Sequence, residues 1–270
     1  SVERIALALG AFEIVFIAVA YSAQPKLHEI WHGLKQMPIA NHNFLYLTAA
    51  NIGAVIMPWM IFYQQSAVVD KGLTAKDLKV ARWDTLIGAI ITQSIMAAVL
   101  IATAATLGKT NPGVALENIG QISEALTPFL GVGVGKVLFA LGMLGASLIA
   151  TIVVSLTAAW GLGEVMGYRR SLKDHPWQAP AFYGVYSVLL VIGGIVITLH
   201  TNLVSLSVAI NVMNALLLPI VLGFLYLLAR RTLPPLYRLK GTYAWIVALI
   251  LGVTAIFGLY AGVVGSFAGW

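Results

Sequence analysis

The sequence predicts an all-α protein that crosses a lipid bilayer several times, and three observations carry that prediction. The 270 residues are 60% hydrophobic and only 10% charged, with a mean hydropathy of +0.90, a composition far more apolar than that of a soluble domain of this length. Seven apolar stretches approach or exceed the roughly 20 residues a helix needs to span the hydrocarbon core. Lysine and arginine crowd into alternate loops, as they do when positive charge stays on the cytoplasmic side. Cysteine is absent, which excludes a disulfide framework and thiolate metal ligands.

The first segment runs from about Ile5 to Ser22, follows Arg4 and carries Glu13 well inside it. An acid at that depth is costly in lipid, so Glu13 is a pathway candidate or a structural residue hydrogen-bonded to a neighbouring helix. The second segment, Phe44–Val68, contains the stretch GAVIMPWMIF and with it Pro58. The third, Thr85–Leu107, is interrupted by Thr92, Gln93 and Ser94. The fourth, Val134–Trp160, carries Gly142 and Gly145, which suit close helix packing and have no nucleotide loop beside them. The fifth is Ala181–Leu199. The sixth, Leu203–Ala229, holds Asn211 and Asn214 on one helical face just before Pro219, and the seventh is Tyr243–Phe267. Only short polar loops separate these segments, so residues 1–270 read as a single transmembrane domain.

The basic residues also orient the chain. Arg4, the group Lys71, Lys76, Lys79 and Arg82, the group Arg169, Arg170 and Lys173, and the group Arg230, Arg231, Arg238 and Lys240 share one side. Only Lys26, Lys35 and Lys109 occupy the alternate loops, with Lys136 near a helix end. A multi-pass protein of the cell membrane is expected, with the N-terminus of this chain cytoplasmic and its C-terminus extracellular. The net charge of +6 is then a matter of topology; it forms no continuous basic stripe, and no nucleic-acid partner is implied. Ser1 opens the chain with no signal peptide, and Ile5 already lies within a span, so earlier helices are expected in a longer protein.

The second segment carries the most chemistry. Pro58 has no amide hydrogen and its ring clashes with the carbonyl of residue 54, while Gly53 adds conformational freedom beside it. The Ala54 carbonyl therefore loses its helical donor at about mid-membrane depth, one turn from the Met57 thioether. Unpaired backbone at that depth must be buried in protein or line a polar cavity. An oxygen and a sulfur together form a partial shell for a divalent cation, and the sulfur favours softer transition metals over magnesium or calcium. A proline kink re-satisfied by its neighbours, with Met57 as packing, is the plain alternative. Asn51, Gln64 and Gln65 flank the break. Polar groups there, and at Asn211 and Asn214, face either a neighbouring helix or a water-filled path.

GAVIMP, followed by YQQSAVVDKG, resembles the sixth helix of the Nramp family of proton-coupled divalent metal transporters, whose pattern is alanine, two residues, then methionine-proline. ALGAFEIVF is similar to the family's fifth helix, ALGMLGASLIAT with GEVMGY to its eighth, and INVMNALLLP to its tenth. The resemblance implies a LeuT-like inverted-repeat fold in which the seven spans are helices five to eleven and the first four have no counterpart. It implies that Ala54, through its carbonyl, and Met57, through its sulfur, bind the ion, with Asn211 standing where the tenth helix commonly has glutamine. The family's first-helix aspartate and asparagine are not represented. Where the family places histidine after methionine-proline and again a turn or two on, this chain has Trp59 and Gln64, neither of which titrates near neutral pH.

The function these resemblances imply is uptake of manganese- or iron-type divalent ions by alternating access, without a histidine proton relay. An uncoupled carrier of magnesium and manganese is the alternative, because a magnesium-carrying clade shares the histidine losses. The expected partners are the transported ion and the bilayer, the expected oligomeric state is a monomer, and no cofactor or covalent chemistry is implied. An amino-acid transporter on the same fold would have no need of a midplane thioether. From a different class, HEIWH at His28–His32 fits the H-E-x-x-H zinc-peptidase signature, two imidazoles four apart with Glu29 as a possible base. It lies in a short loop rather than in a span, and an amphipathic turn shielding the outer mouth is the reading preferred for it.

Overall fold

The computed structural model describes residues 14–22, 24, 26–110, 120, 121, 123, 132–199 and 202–267. Among them the order is α1 (Val15–Ser22), α2 (Leu27–Lys35), α3 (His42–Val55), α4 (Pro58–Lys71), a 3-10 turn (Ala75–Asp77), α5 (Leu78–Thr110), α6 (Val132–Met166), α7 (Pro180–Leu199), α8 (Leu203–Arg231) and α9 (Gly241–Phe267). No strand occurs among the described residues. The protein is all-α and polytopic. Six helical stretches are long and apolar enough to cross a membrane: His42–Lys71, Ala75–Ala105, Gly135–Met166, Pro180–Leu199, Leu203–Arg231 and Gly241–Ser266. They correspond to the second to seventh predicted segments. Most of the first, Glu13 included, lies outside the described residues, and its end is helical as α1.

Helices run past the limits that hydropathy sets. At 1.5 Å per residue the 33 residues of α5 extend about 50 Å, well beyond a hydrocarbon core of about 30 Å. Its first turns, with Lys79, Arg82 and Asp84, therefore reach the interface, where charged side chains remain solvated. Thr92 and Ser94, which interrupt the apolar run of the third segment, lie within a continuous helix. The Thr92 hydroxyl donates to the Gly88 carbonyl at 2.9 Å and the Ser94 hydroxyl to Ile90 at 2.7 Å, so each is satisfied within its own turn.

The chain divides into two compact units. One comprises Ser1–Gln36 with Tyr63–Val204, the other Met37–Phe62 with Ser205–Trp270, so the division falls inside α4. In the first unit α1 packs along α5 and α7 along α6. Its core is aromatic: Trp160 and Phe182 are buried with Leu156, Ala159 and Ala179, and Tyr63, Tyr168, Tyr183 and Tyr186 pack around them. The Trp160 and Phe182 rings stack at 6.5 Å, and Tyr63 lies 5.7 Å from Trp160.

The second unit packs α3, α8 and α9 through small residues. Leu45, Ala49 and Ala50 meet Val212, Ala215 and Ala261, and the three alanines Ala49, Ala215 and Ala261 are wholly inaccessible. A further cluster joins Ile52 and Ile56 to Leu218, Leu222 and Ala255. In lipid there is no hydrophobic drive between apolar helices, so association depends on the backbone approach that such residues allow. Gly265 shows how close it is: a Cβ there would stand 2.6 Å from the Tyr46 Cα.

Candidate functional site

The break is a two-residue interruption. Helix α3 begins at the Asn41 N-cap, whose side chain accepts from the Phe44 amide at 3.2 Å, and ends at Val55. Ile56 leaves helical geometry with φ −119° and ψ 81°, its N–H still donating to the Ile52 carbonyl at 3.0 Å. Met57 belongs to neither helix, and its carbonyl accepts from the Met60 N–H at 3.0 Å as the next helix opens. Pro58 is the first residue of α4, where its missing N–H would have had no helical partner and its fixed φ suits the turn. The expected mid-helix clash is thus avoided, because the helix stops before the proline instead of kinking around it. Pro219 behaves differently: it lies inside α8, which continues through it from Leu203 to Arg231.

Two consequences follow at the break. Pro58 cannot donate to the Ala54 carbonyl, so that oxygen stays available near the end of α3, where the helix dipole is negative. Gly53 and Pro58 are buried, whereas Ala54, Met57 and Trp59 are half-buried. On a helical wheel Ala54 and Leu47 lie opposite the stripe Leu45, Ala49, Ile52 and Ile56 that packs on α8 and α9.

The structure brings two predicted residues together directly. A Cβ at Gly53 would land on the Asn211 carbonyl oxygen, 2.8 Å from its carbon and 2.9 Å from the Ala215 amide nitrogen. Glycine is required there because the backbones of α3 and α8 touch. Asn211 is therefore anchored beside the break by its own main chain, and Asn214, like Asn211, is half-buried. Gln64 is exposed on α4, in the other unit. Among the described residues no group of three or more His, Cys, Asp or Glu is placed to hold a metal ion.

A second polar region lies between α4, α6 and the loop after α6. The Ser171 hydroxyl donates to Asp70 at 2.6 Å, Gln65 donates to Glu164 at 3.4 Å, and Arg170 pairs with Glu164 at 3.8 Å. The Trp160 indole donates to the Arg170 carbonyl at 2.6 Å, and Tyr168 donates to Ala159 at 3.0 Å. These residues surround a cavity of about 470 Å³ between α4, α6 and the loop after α6. Burial pushes the Tyr168 phenol above its ordinary pKa. Glu164 and Arg170 are near in sequence, close enough for an interfacial ion pair to be expected there. Asp70 and Ser171 stand 101 residues apart and give no local signal. The predicted packing glycines Gly142 and Gly145 are both buried.

HEIWH forms the short helix α2, outside the six long apolar stretches. Its Glu29 pairs with Lys26 at 3.7 Å. The third ligand that a zinc peptidase needs is not present among the described residues.

The model of the family described as natural resistance-associated macrophage protein-like, Nramp, matches residues 1–263. The divalent metal cation transporter MntH of Bradyrhizobium diazoefficiens is 32% identical over 156 residues, which cover 55% of this chain and 34% of that protein. MntH of Mesorhizobium japonicum is 28% identical over 161 residues, covering 56% and 35%, and MntH of Xylella fastidiosa is 28% identical over 188 residues, covering 63% and 38%. The chain thus matches little more than a third of the length of these relatives.

Proposed function

The chain belongs to the Nramp family, and from that membership we propose that it forms the part of a divalent metal transporter that presents the broken helix to the ion. The observation that carries the proposal is the interruption at Ile56 and Met57 with Pro58 opening α4. Such a gap is tolerated at membrane depth only beside protein or a polar cavity, and it leaves the Ala54 carbonyl and the Met57 sulfur free. The metal ligands in this proposal are the Ala54 carbonyl, the Met57 thioether and the Asn211 amide. Gly53 sets the distance from α3 to α8, and Pro58 keeps the carbonyl unpaired. Glu13, Trp59, Gln64 and Asn214 are proposed to line the pathway.

The chemistry of this donor set favours a manganese- or iron-type ion. A thioether contributes to a soft or borderline metal and has little to offer magnesium, which prefers oxygen and retains its waters. Transport would proceed by alternating access in a LeuT-like fold, the ion held at the midplane while one bundle rocks against another. The orientation that goes with it has the N-terminus of this chain cytoplasmic and the C-terminus extracellular. A second reading, uncoupled carriage of magnesium with manganese, is favoured by Trp59 and Gln64, which offer no titrating relay.

Manganese and magnesium uptake into proteoliposomes, with internal pH recorded, separates the two. The proposal expects manganese to enter in preference to magnesium, and Met57→Ala to lower manganese kcat/KM on the order of tenfold while narrowing the preference. Equal entry of magnesium without proton movement would replace it by the second reading.

A further inference from the structure

The imidazoles of His28 and His32 are a second motif with metal chemistry, separate from the break. Both lie on α2, one helical turn apart, with ring centroids 6.1 Å apart and planes inclined by 29°. Both are exposed, and among the described residues neither imidazole ring takes part in a hydrogen bond or ion pair. The helix is strongly amphipathic. Its apolar side, with Ile30 and Leu34, borders a cavity of about 630 Å³ against Leu100 and Ile101 of α5, and the helical period puts the histidines on the other side.

The neighbouring charges are drawn elsewhere. Lys26 pairs with Glu29 at 3.7 Å, and Lys35, which shares a face with His32, lies over the Trp31 ring at 5.8 Å. Two imidazoles on one ion, each nitrogen about 2.0–2.1 Å from it in a near-tetrahedral arrangement, hold their centroids about 5 Å apart. The observed spacing exceeds this by about 1 Å, which side-chain rotation of exposed histidines closes without moving the backbone.

The geometry points to a two-imidazole clamp for a zinc-, nickel- or copper-class divalent ion at His28 and His32, its remaining positions filled by water. Imidazole suits these metals, whereas magnesium and calcium take oxygen ligands. The absence of a third ligand among the described residues distinguishes the clamp from a closed structural zinc site and from a peptidase centre. By the distribution of basic residues α2 lies on the outer side, so the clamp would meet ions before they enter the transporter.

Calorimetric titration of Zn²⁺, Ni²⁺ and Mg²⁺ into the purified protein tests this, comparing wild type with His28→Ala/His32→Ala, His28→Gln, His42→Ala and Met57→Ala. The expected result is that wild type, His42→Ala and Met57→Ala bind zinc and nickel at the clamp. The double variant and His28→Gln lose one bound ion per chain or at least about tenfold in affinity for it. Magnesium gives no heat that depends on either histidine. The clamp is overturned if the double variant binds zinc and nickel as wild type does. It is equally overturned if His42→Ala or Met57→Ala alone removes the binding, or if wild type binds neither metal. His28→Gln retains an exposed polar side chain, so a loss shared by both variants reports ligation and not the folding of α2.

Discussion

The residues on either side of the broken helix are held in opposite ways. Before the break, α3 lies on α8 and α9 through alanine and glycine, with main chains in contact at Gly53 and Gly265. After it, from Tyr63 onward, α4 is fastened to α6 and its following loop by Tyr63 against Trp160, Asp70 with Ser171, and Gln65 with Glu164. The first arrangement brings main chain against main chain and makes its tolerance to added volume very small. The second ties polar groups to one another and relies on large rings. A site needing a free carbonyl suits the first; an anchor for a helix end suits the second.

Substitutions should separate the two kinds of packing. Trp160→Ala removes a buried ring and the hydrogen bond to Arg170, and is expected to destabilise by about 3–5 kcal/mol in a denaturation or thermal-shift measurement. Gly53→Ala forces a methyl into the Asn211 carbonyl and should cost about 1–3 kcal/mol, although it adds a single carbon. If Gly53→Ala proves neutral, the backbones there are not in contact and the contrast fails. Asp70→Ala and Ser171→Ala should each cost about 1–2 kcal/mol, with a coupling of at least about 0.5 kcal/mol in a double-mutant cycle. Thr92→Val, whose hydroxyl is satisfied within its own helix, should change stability by no more than about 0.5 kcal/mol.

Much of the candidate site was legible because its chemistry is local. Gly53, Ala54, Met57 and Pro58 sit within six residues, and a missing N–H is a covalent fact that no fold can alter. Asn211 could be singled out as polar within a span, but its seat beside Gly53 could not be read. That seat depends on which face α8 turns to α3, 158 residues away in sequence. The Asp70–Ser171 bond was missed for the same reason. Hydropathy registers the hydroxyls of Thr92 and Ser94 as polar but not the carbonyl one turn back that accepts from each.

The sequence by itself determined the helical class, six of the membrane-spanning stretches and the presence of a break, since each follows from local apolar content or from proline chemistry. Only the tertiary structure decided that Pro58 opens a new helix while Pro219 remains inside one. Both prolines lack the same hydrogen bond. What happens to the carbonyl four residues earlier depends on the helices packed around it, and that environment is assembled from distant parts of the chain.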